Sequence, residues 1–179
     1  MGSIMRIHIP LFVGCLVAIV TPCRAADTAP KAMNTLLVGL GSGGGSPVSG
    51  LAGFFSLQTE KPTGKGLFLD SASLHTVQLF GGSSVDIVAV GIQQTQHAGK
   101  SFSGVGYGLG QLTRSEQTPV SGGFLFQAYD TVHHHEVGGY IKVFTGRQAG
   151  ALLFHATVFA MLGAHAQGAG ATVGVGFRL

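Results

Sequence analysis

The sequence is poor in cysteine, in charged residues and in long apolar runs. Its two cysteines, Cys15 and Cys23, both lie within the first 25 residues. Only 9% of the 179 residues are charged, which is unusual for a water-soluble globular protein. After residue 25, the longest nearly continuous apolar stretch runs only from Ala151 to Ala164. This stretch is too short for a comfortable transmembrane helix, which needs roughly 20 apolar residues.

The N-terminus has the pattern of a secretory signal peptide. Arg6 precedes an apolar run from Leu11 to Val20. Cleavage after Ala25 would place Cys23 and Ala25 where signal peptidase requires small residues, so we predict that residues 1–25 are a cleaved signal peptide. An uncleaved membrane anchor is the alternative, but the run has about half of the roughly 20 apolar residues that a spanning helix needs.

Cleavage would leave a mature chain of 179 − 25 = 154 residues without cysteine, so no disulfide would stabilise it. Without Arg6 and Arg24, eight basic residues stand against seven acidic ones, a net charge of about +1. No Lys/Arg stripe interleaved with aromatic residues occurs, so no nucleic-acid partner is predicted. The mature length suits one domain and one eight-stranded barrel, and it is too short for a sixteen-stranded porin.

Glycine is abundant, with 30 residues, and together with Pro, Ser and short charged clusters it divides the chain into segments of strand-like composition. Eight such segments follow one another, approximately 49–60, 66–80, 84–95, 101–112, 119–130, 136–145, 150–163 and 169–179. They predict an all-β fold, namely an eight-stranded antiparallel up-and-down transmembrane β-barrel over 49–179. Residues 26–48, which include the run Gly41–Ser42–Gly43–Gly44–Gly45, are predicted to form a Gly-rich N-terminal arm or plug. The segment 150–163 could also be a buried helix.

Strict alternation of apolar with small or polar residues predicts which side chains face lipid. Two segments alternate most clearly, and one of them ends the chain. Their apolar faces are predicted to be membrane-facing: Val105, Tyr107, Leu109, Val173, Val175 and Phe177.

The opposite parity predicts a charged group inside the barrel. Asp86, Lys142 and Arg178 share the inward parity, so we predict an ion-pair network in the lumen. In a narrow eight-stranded barrel such pairs fill the interior. The many glycines at inward positions could instead leave a cavity or a small channel.

Histidine suggests a metal site. An even number of strands puts both termini at the periplasmic side, and the connections then expected at the outer rim contain His97, His133, His134, His135 and His165. Imidazoles from adjacent loops could together bind zinc, copper or nickel. The alternative is that these residues are exposed and solvated, and no cofactor is otherwise predicted.

Residues for nucleophilic catalysis are sparse. The nearest local grouping is Asp70, Ser71 and His75. On a strand, Ser71 and His75 would lie about 13 Å apart, too far for a direct hydrogen bond. No catalytic residue is therefore assigned, although His97 or His134 from another loop could complete such a site.

In its signal, size and C-terminal strand, the chain resembles the small Gram-negative outer-membrane β-barrel proteins, of the opacity-type and OmpX/OmpW-like class. The end Val173–Leu179 is similar to the assembly signal of that class, although the last residue is Leu rather than an aromatic and the sequence has no tryptophan. The resemblance implies a location in the outer membrane, contact with outer-membrane lipid and lipopolysaccharide, and insertion by the barrel-assembly machinery.

The leading functional hypothesis is a non-enzymatic outer-membrane barrel with a structural, surface-interaction or minor permeation role. One alternative is an outer-membrane lipid-modifying enzyme that uses residues such as Ser71 and His134. Another is a soluble periplasmic lipocalin-like barrel, in which the apolar faces would turn inward around a ligand. The sequence pattern leaves the oligomeric state open.

Overall fold

The computed structural model describes residues 33–45, 48–76, 83–121 and 128–179. Among these residues, no helix is long and apolar enough to cross a membrane. The described chain forms eight strands: β1 (Met33–Gly45), β2 (Val48–Glu60), β3 (Lys65–His75), β4 (Ser84–Ala98), β5 (Ser101–Ser121), β6 (Ala128–Ala149), β7 (Leu152–Leu162) and β8 (Gln167–Arg178).

Each strand pairs antiparallel with the next one along the chain, and β1 pairs with β8, so the sheet closes into a barrel. The β1–β8 seam runs from Thr35↔Arg178 to Gly44↔Ala169. A closed barrel leaves no exposed sheet edge along the paired strands. The prediction of an all-β, eight-stranded antiparallel up-and-down barrel is confirmed.

The first strand corrects the prediction of an N-terminal arm, because Met33–Gly45 is part of the barrel wall. Its glycines allow close contact with β8: a Cβ at Gly41 would lie 2.7 Å from the Cα of Thr172. The Gly-rich run is therefore extended strand rather than a hinge. The predicted signal peptide and residues 26–32 lie outside the described residues.

The fifth predicted strand, 119–130, is also corrected. Strand β5 continues to Ser121 and β6 begins at Ala128, so the described residues of this segment belong to two strands that pair with each other rather than to one strand. The predicted number of strands, eight, is nevertheless correct, because the prediction omitted β1 and counted 119–130 as an additional strand.

The two ends of the barrel differ. At the end where β1 begins and β8 ends, called here the terminal end, the connections are the short turns 61–64, 99–100 and 150–151. Each contains a glycine with positive φ, namely Gly64, Gly99 and Gly150. Glycine adopts this conformation without steric cost, and tight hairpin turns require it. The prediction that His97 lies at the rim opposite the termini is therefore wrong.

The opposite end, called here the ribbon end, carries a projection. Pairing between β4 and β5 stops at Ser84↔Ser115, and pairing between β6 and β7 starts at Gly139↔Leu162. Beyond these points β5 and β6 pair, within the described parts of the chain, only with each other. The resulting ribbon, defined as Glu116–Ser121 and Ala128–Gly138, extends past the rim as two strands whose outer edges have no described strand partner.

Side chains alternate between the lumen and the outer wall along every strand. The buried side chains of the lumen are mainly apolar and aromatic, and they form a core cluster that includes Phe54, Phe68, Tyr140, Phe159 and Met161. Many large apolar residues point outward, among them Leu69, Val90, Leu109 and Val173.

Candidate functional site

A polar network occupies the centre of the lumen around Asp70. Its carboxylate accepts hydrogen bonds from the Lys142 ammonium at 3.0 Å, the Tyr140 hydroxyl at 2.9 Å and the Ser56 hydroxyl at 2.5 Å. Both charged side chains are fully enclosed, with exposures of 0% for Lys142 and 1% for Asp70. Charges this deep require a partner and further hydrogen bonds, and Asp70 has both.

The network continues towards the terminal end through amides. The Gln58 side-chain amide donates to the Ser56 hydroxyl at 3.0 Å, and the Gln93 side-chain amide donates to the Oε1 atom of Gln58 at 3.1 Å. The Lys142 ammonium also lies 3.9 Å from the centre of the Phe68 ring, at cation–π distance. The interior is thus a packed, hydrogen-bonded core.

Aromatic rings fill the lumen on both sides of this network. On one side, Phe159 stacks on Phe54 with ring centres 5.5 Å apart. On the other, Phe102 and Phe144 pack together, and only about 20 Å³ of space is left between them, Glu60, Arg178 and their neighbours. No continuous channel is formed by the described side chains.

The predicted network of Asp86, Lys142 and Arg178 is not the one that forms. Lys142 does point inward, but its partner is Asp70, and Arg178 lies at the terminal end. Asp86 is on the outer wall, where its carboxylate accepts a hydrogen bond from Ser73. Since Ser73 pairs directly with Asp86, outward positions are odd in β3 and even in β4, which reverses the parity assumed for Asp86.

The histidines do not gather at one rim. His97 lies at the terminal end, 2.6 Å from Glu60, whereas His133, His134, His135 and His165 lie at the ribbon end. Within the described part of the chain, no group of three or more His, Cys, Asp or Glu side chains is arranged to hold a metal ion. The five histidines therefore do not come together as the predicted site shared by adjacent loops.

The ribbon end has a pocket of about 320 Å³ on the inner face of β5 and β6. Arg114 forms an ion pair with Glu116 there, and Glu136 accepts a hydrogen bond of 2.6 Å from the backbone N–H of His165. The second contact fastens the β7–β8 connection to the ribbon. His134 lines the same pocket.

The outer face at the ribbon end, including the base of the ribbon, carries a polar patch that sequence reasoning missed. Two rows of paired residues cross β3 to β6 on this face, one from Ser73 to His135 and one from His75 to His133. The polar patch consists of Ser73, His75, Ser84, Asp86, Thr113, Ser115, His133 and His135. The period of a single strand could have predicted which of its own residues share a face. Which residues of different strands are neighbours depends on the register between the strands, and the sequence pattern does not give that register.

The six residues predicted to face lipid all point outward on β5 and β8. They belong to a belt of apolar side chains that surrounds the barrel below the polar patch. Asp70 points into the lumen whereas Ser71 and His75 point outward, so the grouping considered for catalysis is split by the barrel wall.

Charge is distributed unevenly between the ends. The terminal end has five cations, Lys61, Lys65, Lys100, Arg147 and Arg178, and Glu60 is the one side-chain anion described there. At the ribbon end the described side chains include Asp86, Glu116, Asp130 and Glu136, with Arg114 as the cation. The two ends therefore present different chemistry.

Three solved structures show the same architecture. The chain is similar to Ail, the attachment invasion locus protein of Yersinia pestis, solved with the heparin analogue sucrose octasulfate (TM-score 0.61, 7% identity, covering 84% of this chain and 100% of Ail). Neisserial surface protein A gives a TM-score of 0.60 at 8% identity, covering 86% of this chain and 100% of that one. The N-terminal β-barrel domain of Pseudomonas aeruginosa OprF gives 0.57 at 12% identity, covering 83% and 100%.

No protein-family model and no curated protein sequence matches the chain. At such low identities the structural likeness shows the fold alone. The chain has the eight-stranded fold of these outer-membrane barrels, and the resemblance inferred from its sequence is confirmed at that level.

Proposed function

We propose that this protein is a non-enzymatic outer-membrane β-barrel whose ribbon end takes part in interactions at the cell surface. The observation that carries the proposal is the ribbon, in which two paired strands leave the barrel wall and have no further strand partner among the described residues. Strand edges of this kind present unpaired N–H and C=O groups to a partner. Two of the structures with the same fold are named for attachment or for the cell surface.

The apolar belt supports a membrane location. Along β4 the outward residues Val88, Val90 and Ile92 are all large, apolar and exposed, and equivalent residues continue around the barrel. A continuous belt of this kind is unusual on a protein surrounded by water. An apolar belt of this kind is stable in the hydrocarbon of a bilayer, so outer-membrane lipid is the first partner that we propose.

Orientation follows from the connections. Small outer-membrane barrels have short periplasmic turns and longer extracellular loops. The short turns at the terminal end then face the periplasm, and the ribbon faces the medium and the lipopolysaccharide headgroups. The C-terminal strand, which ends in Val173–Leu179, is the segment that we expect the barrel-assembly machinery to engage.

The other hypotheses receive less support. The filled lumen argues against permeation, because the central ion pair and the aromatic rings occupy the middle of the barrel. The lipocalin-like hypothesis requires an internal ligand cavity, whereas the apolar residues Val173, Val175 and Phe177 point outward. The lipid-modifying hypothesis is weakened because Asp70 points into the lumen and cannot join Ser71 in a catalytic site on the outer surface.

Cysteine labelling on whole cells tests both location and orientation. The predicted mature chain has no cysteine, so single substitutions give a clean signal. Asp130→Cys lies in the ribbon and Lys100→Cys lies in a turn at the terminal end. We expect a membrane-impermeant maleimide to label Asp130→Cys on intact cells and Lys100→Cys only after the outer membrane is permeabilised.

The unsubstituted chain is the blank, and fractionation with a gel of boiled and unboiled samples shows whether the labelled barrel is folded and in the outer membrane. Release of the protein with the soluble periplasm would overturn the membrane proposal. Labelling of Lys100→Cys alone on intact cells would overturn the orientation.

A further inference from the structure

The outer face of the ribbon and its base holds two histidines that sequence reasoning grouped with three others. His133 and His135 are alternate residues of β6, so they lie on one face of the strand, and His134 lies on the opposite face. Their Cα atoms are roughly 6.7 Å apart on a regular strand. Both side chains are exposed, outside the apolar belt.

Each ring is held by a hydroxyl on the neighbouring strand. The Nδ1 atom of His133 is 2.8 Å from the Ser115 Oγ atom, and the Nδ1 atom of His135 is 3.0 Å from the Thr113 Oγ1 atom. Ser115 and Thr113 are the direct cross-strand partners of the two histidines. A hydroxyl on β5 therefore lies against the same ring atom of each histidine, and the Nδ1 atom of His135 has a further, longer contact of 3.5 Å with the Gln111 Nε2 atom.

We propose that His133 and His135 bind one divalent transition-metal ion, of the zinc, copper or nickel class, through their Nε2 atoms. Metal-binding histidines commonly donate the other ring N–H to an oxygen, which sets the tautomer and the ring orientation. Here Nδ1–H would donate to the Ser115 or Thr113 hydroxyl, and Nε2 would present its lone pair to the metal. Metal–nitrogen bonds of about 2.0–2.1 Å require both Nε2 atoms to turn towards one point between the two rings.

The ligand set determines the class of metal. Imidazole nitrogen suits zinc, copper and nickel, whereas calcium and magnesium prefer oxygen ligands. With two protein ligands, the remaining coordination positions are open to water or to a donor group on another molecule. For a fixed pair of nitrogen ligands, copper is expected to bind more tightly than nickel or zinc.

This site is independent of the proposed membrane function, because it needs only the β5–β6 pairing. Calorimetric titration of the folded, untagged barrel in detergent with Cu²⁺, Zn²⁺ and Ni²⁺ measures it directly. We expect one ion per chain. His133→Gln and His135→Gln should each abolish that binding, and the matched variant His134→Gln should retain it.

The hydroxyl partners provide a second readout. Ser115→Ala and Thr113→Ala remove the oxygens that orient the rings and should weaken binding by about 10–100-fold, the usual effect of losing such a partner. Unboiled gel mobility confirms that each variant is folded. Equal losses in His133→Gln and His134→Gln, or affinity unchanged in both hydroxyl variants, would mean that metal binds a solvated histidine tract and would overturn the proposed site.

Discussion

At the residue scale, the most consequential position is Asp70, which lies between β2 and β4 and faces the lumen. Three donors from two other strands, β2 and β6, converge on its carboxylate, so one side chain joins opposite sides of the barrel. The large phenyl rings above and below exclude water from this group. The network therefore specifies how the interior packs rather than providing a route through it.

Replacement of Lys142 tests this role. Lys142→Met leaves the Asp70 charge buried without its cation, and loss of one partner of such a pair costs about 3–5 kcal/mol of unfolding free energy. Urea unfolding in lipid vesicles, followed by gel mobility, measures the loss. The double variant Asp70→Asn/Lys142→Met removes both charges. The amide oxygen can accept from one of the Ser56 and Tyr140 hydroxyls and the amide N–H can donate to the oxygen of the other, so most of the stability should return. A double variant as unstable as Lys142→Met would show that the charge pair is not the cause.

Gly174 illustrates a second kind of constraint. It lies directly between Gly39 and His155 in the paired register, and a Cβ there would be 2.5 Å from the Gly39 Cα. The missing side chain lets His155 extend across β8, where its Nε2 atom lies 3.1 Å from the Val38 carbonyl oxygen.

We expect Gly174→Ala to reduce the unfolding free energy by about 1–3 kcal/mol through overpacking. Gly139→Ala is the matched control, because a Cβ at Gly139 meets nothing within 4 Å. The same urea titration compares the two variants. Equal midpoints would refute the packing argument.

At the element scale, strand β4 crosses the whole apolar belt. Its outward residues change from Asp86 at the polar patch, through Val88, Val90 and Ile92, to Gln94 near the terminal end. If the belt lies in lipid, successive outward residues of β4 therefore lie at successive depths in the bilayer.

Arginine substitutions along β4 measure this depth. Val90→Arg, at the centre of the belt and 59% exposed, should cost about 2–4 kcal/mol in a bilayer, whereas Gln94→Arg should cost about 0–1 kcal/mol. In a water-soluble barrel an exposed position such as Val90 would tolerate arginine. Similar costs at both positions in refolding from vesicles would therefore argue against the belt as a lipid-facing surface.

The ribbon is the second element whose independence can be tested. Glu116 pairs directly with Val132, so replacement of 117–131 by Asn-Gly leaves a two-residue hairpin at that pair. Because β4 and β7 make no ladder contacts with the described residues of this range, the barrel should still fold and keep its unboiled gel mobility. Failure to fold would show that the ribbon is required for assembly of the wall.

The sequence predicted local features better than relations between strands. Alternation around Tyr107 and Val175 is a property of single strands, so their outward direction could be predicted. The parity of Asp86 could not, because the inward parity changes from strand to strand with the lengths of the connections. The inward direction of Asp70 could have been predicted, since the apolar residues Phe68, Ala72 and Leu74 lie on the same face of β3.

The same reasoning applies to the histidines. That His133 and His135 share a face follows from the strand period, but the position of His97 at the other end depends on which connections are turns. The first strand was missed because Gly41–Gly45 lacks the apolar alternation of Leu36, Val38 and Leu40, and closure against β8 is what extends it.

At the scale of the whole molecule, a closed wall around a filled core predicts a barrel that does not conduct ions. The space at the terminal end, about 20 Å³, can hold about one water molecule, and the Lys142–Asp70 pair blocks the centre. We therefore expect no conductance steps when the folded protein is added to a planar bilayer in concentrated KCl, under conditions in which a sixteen-stranded porin gives clear steps. If steps do occur, Lys142→Met decides their origin: a change in cation selectivity would place the ion path in this lumen and contradict the filled core, whereas unchanged steps would come from a contaminating channel.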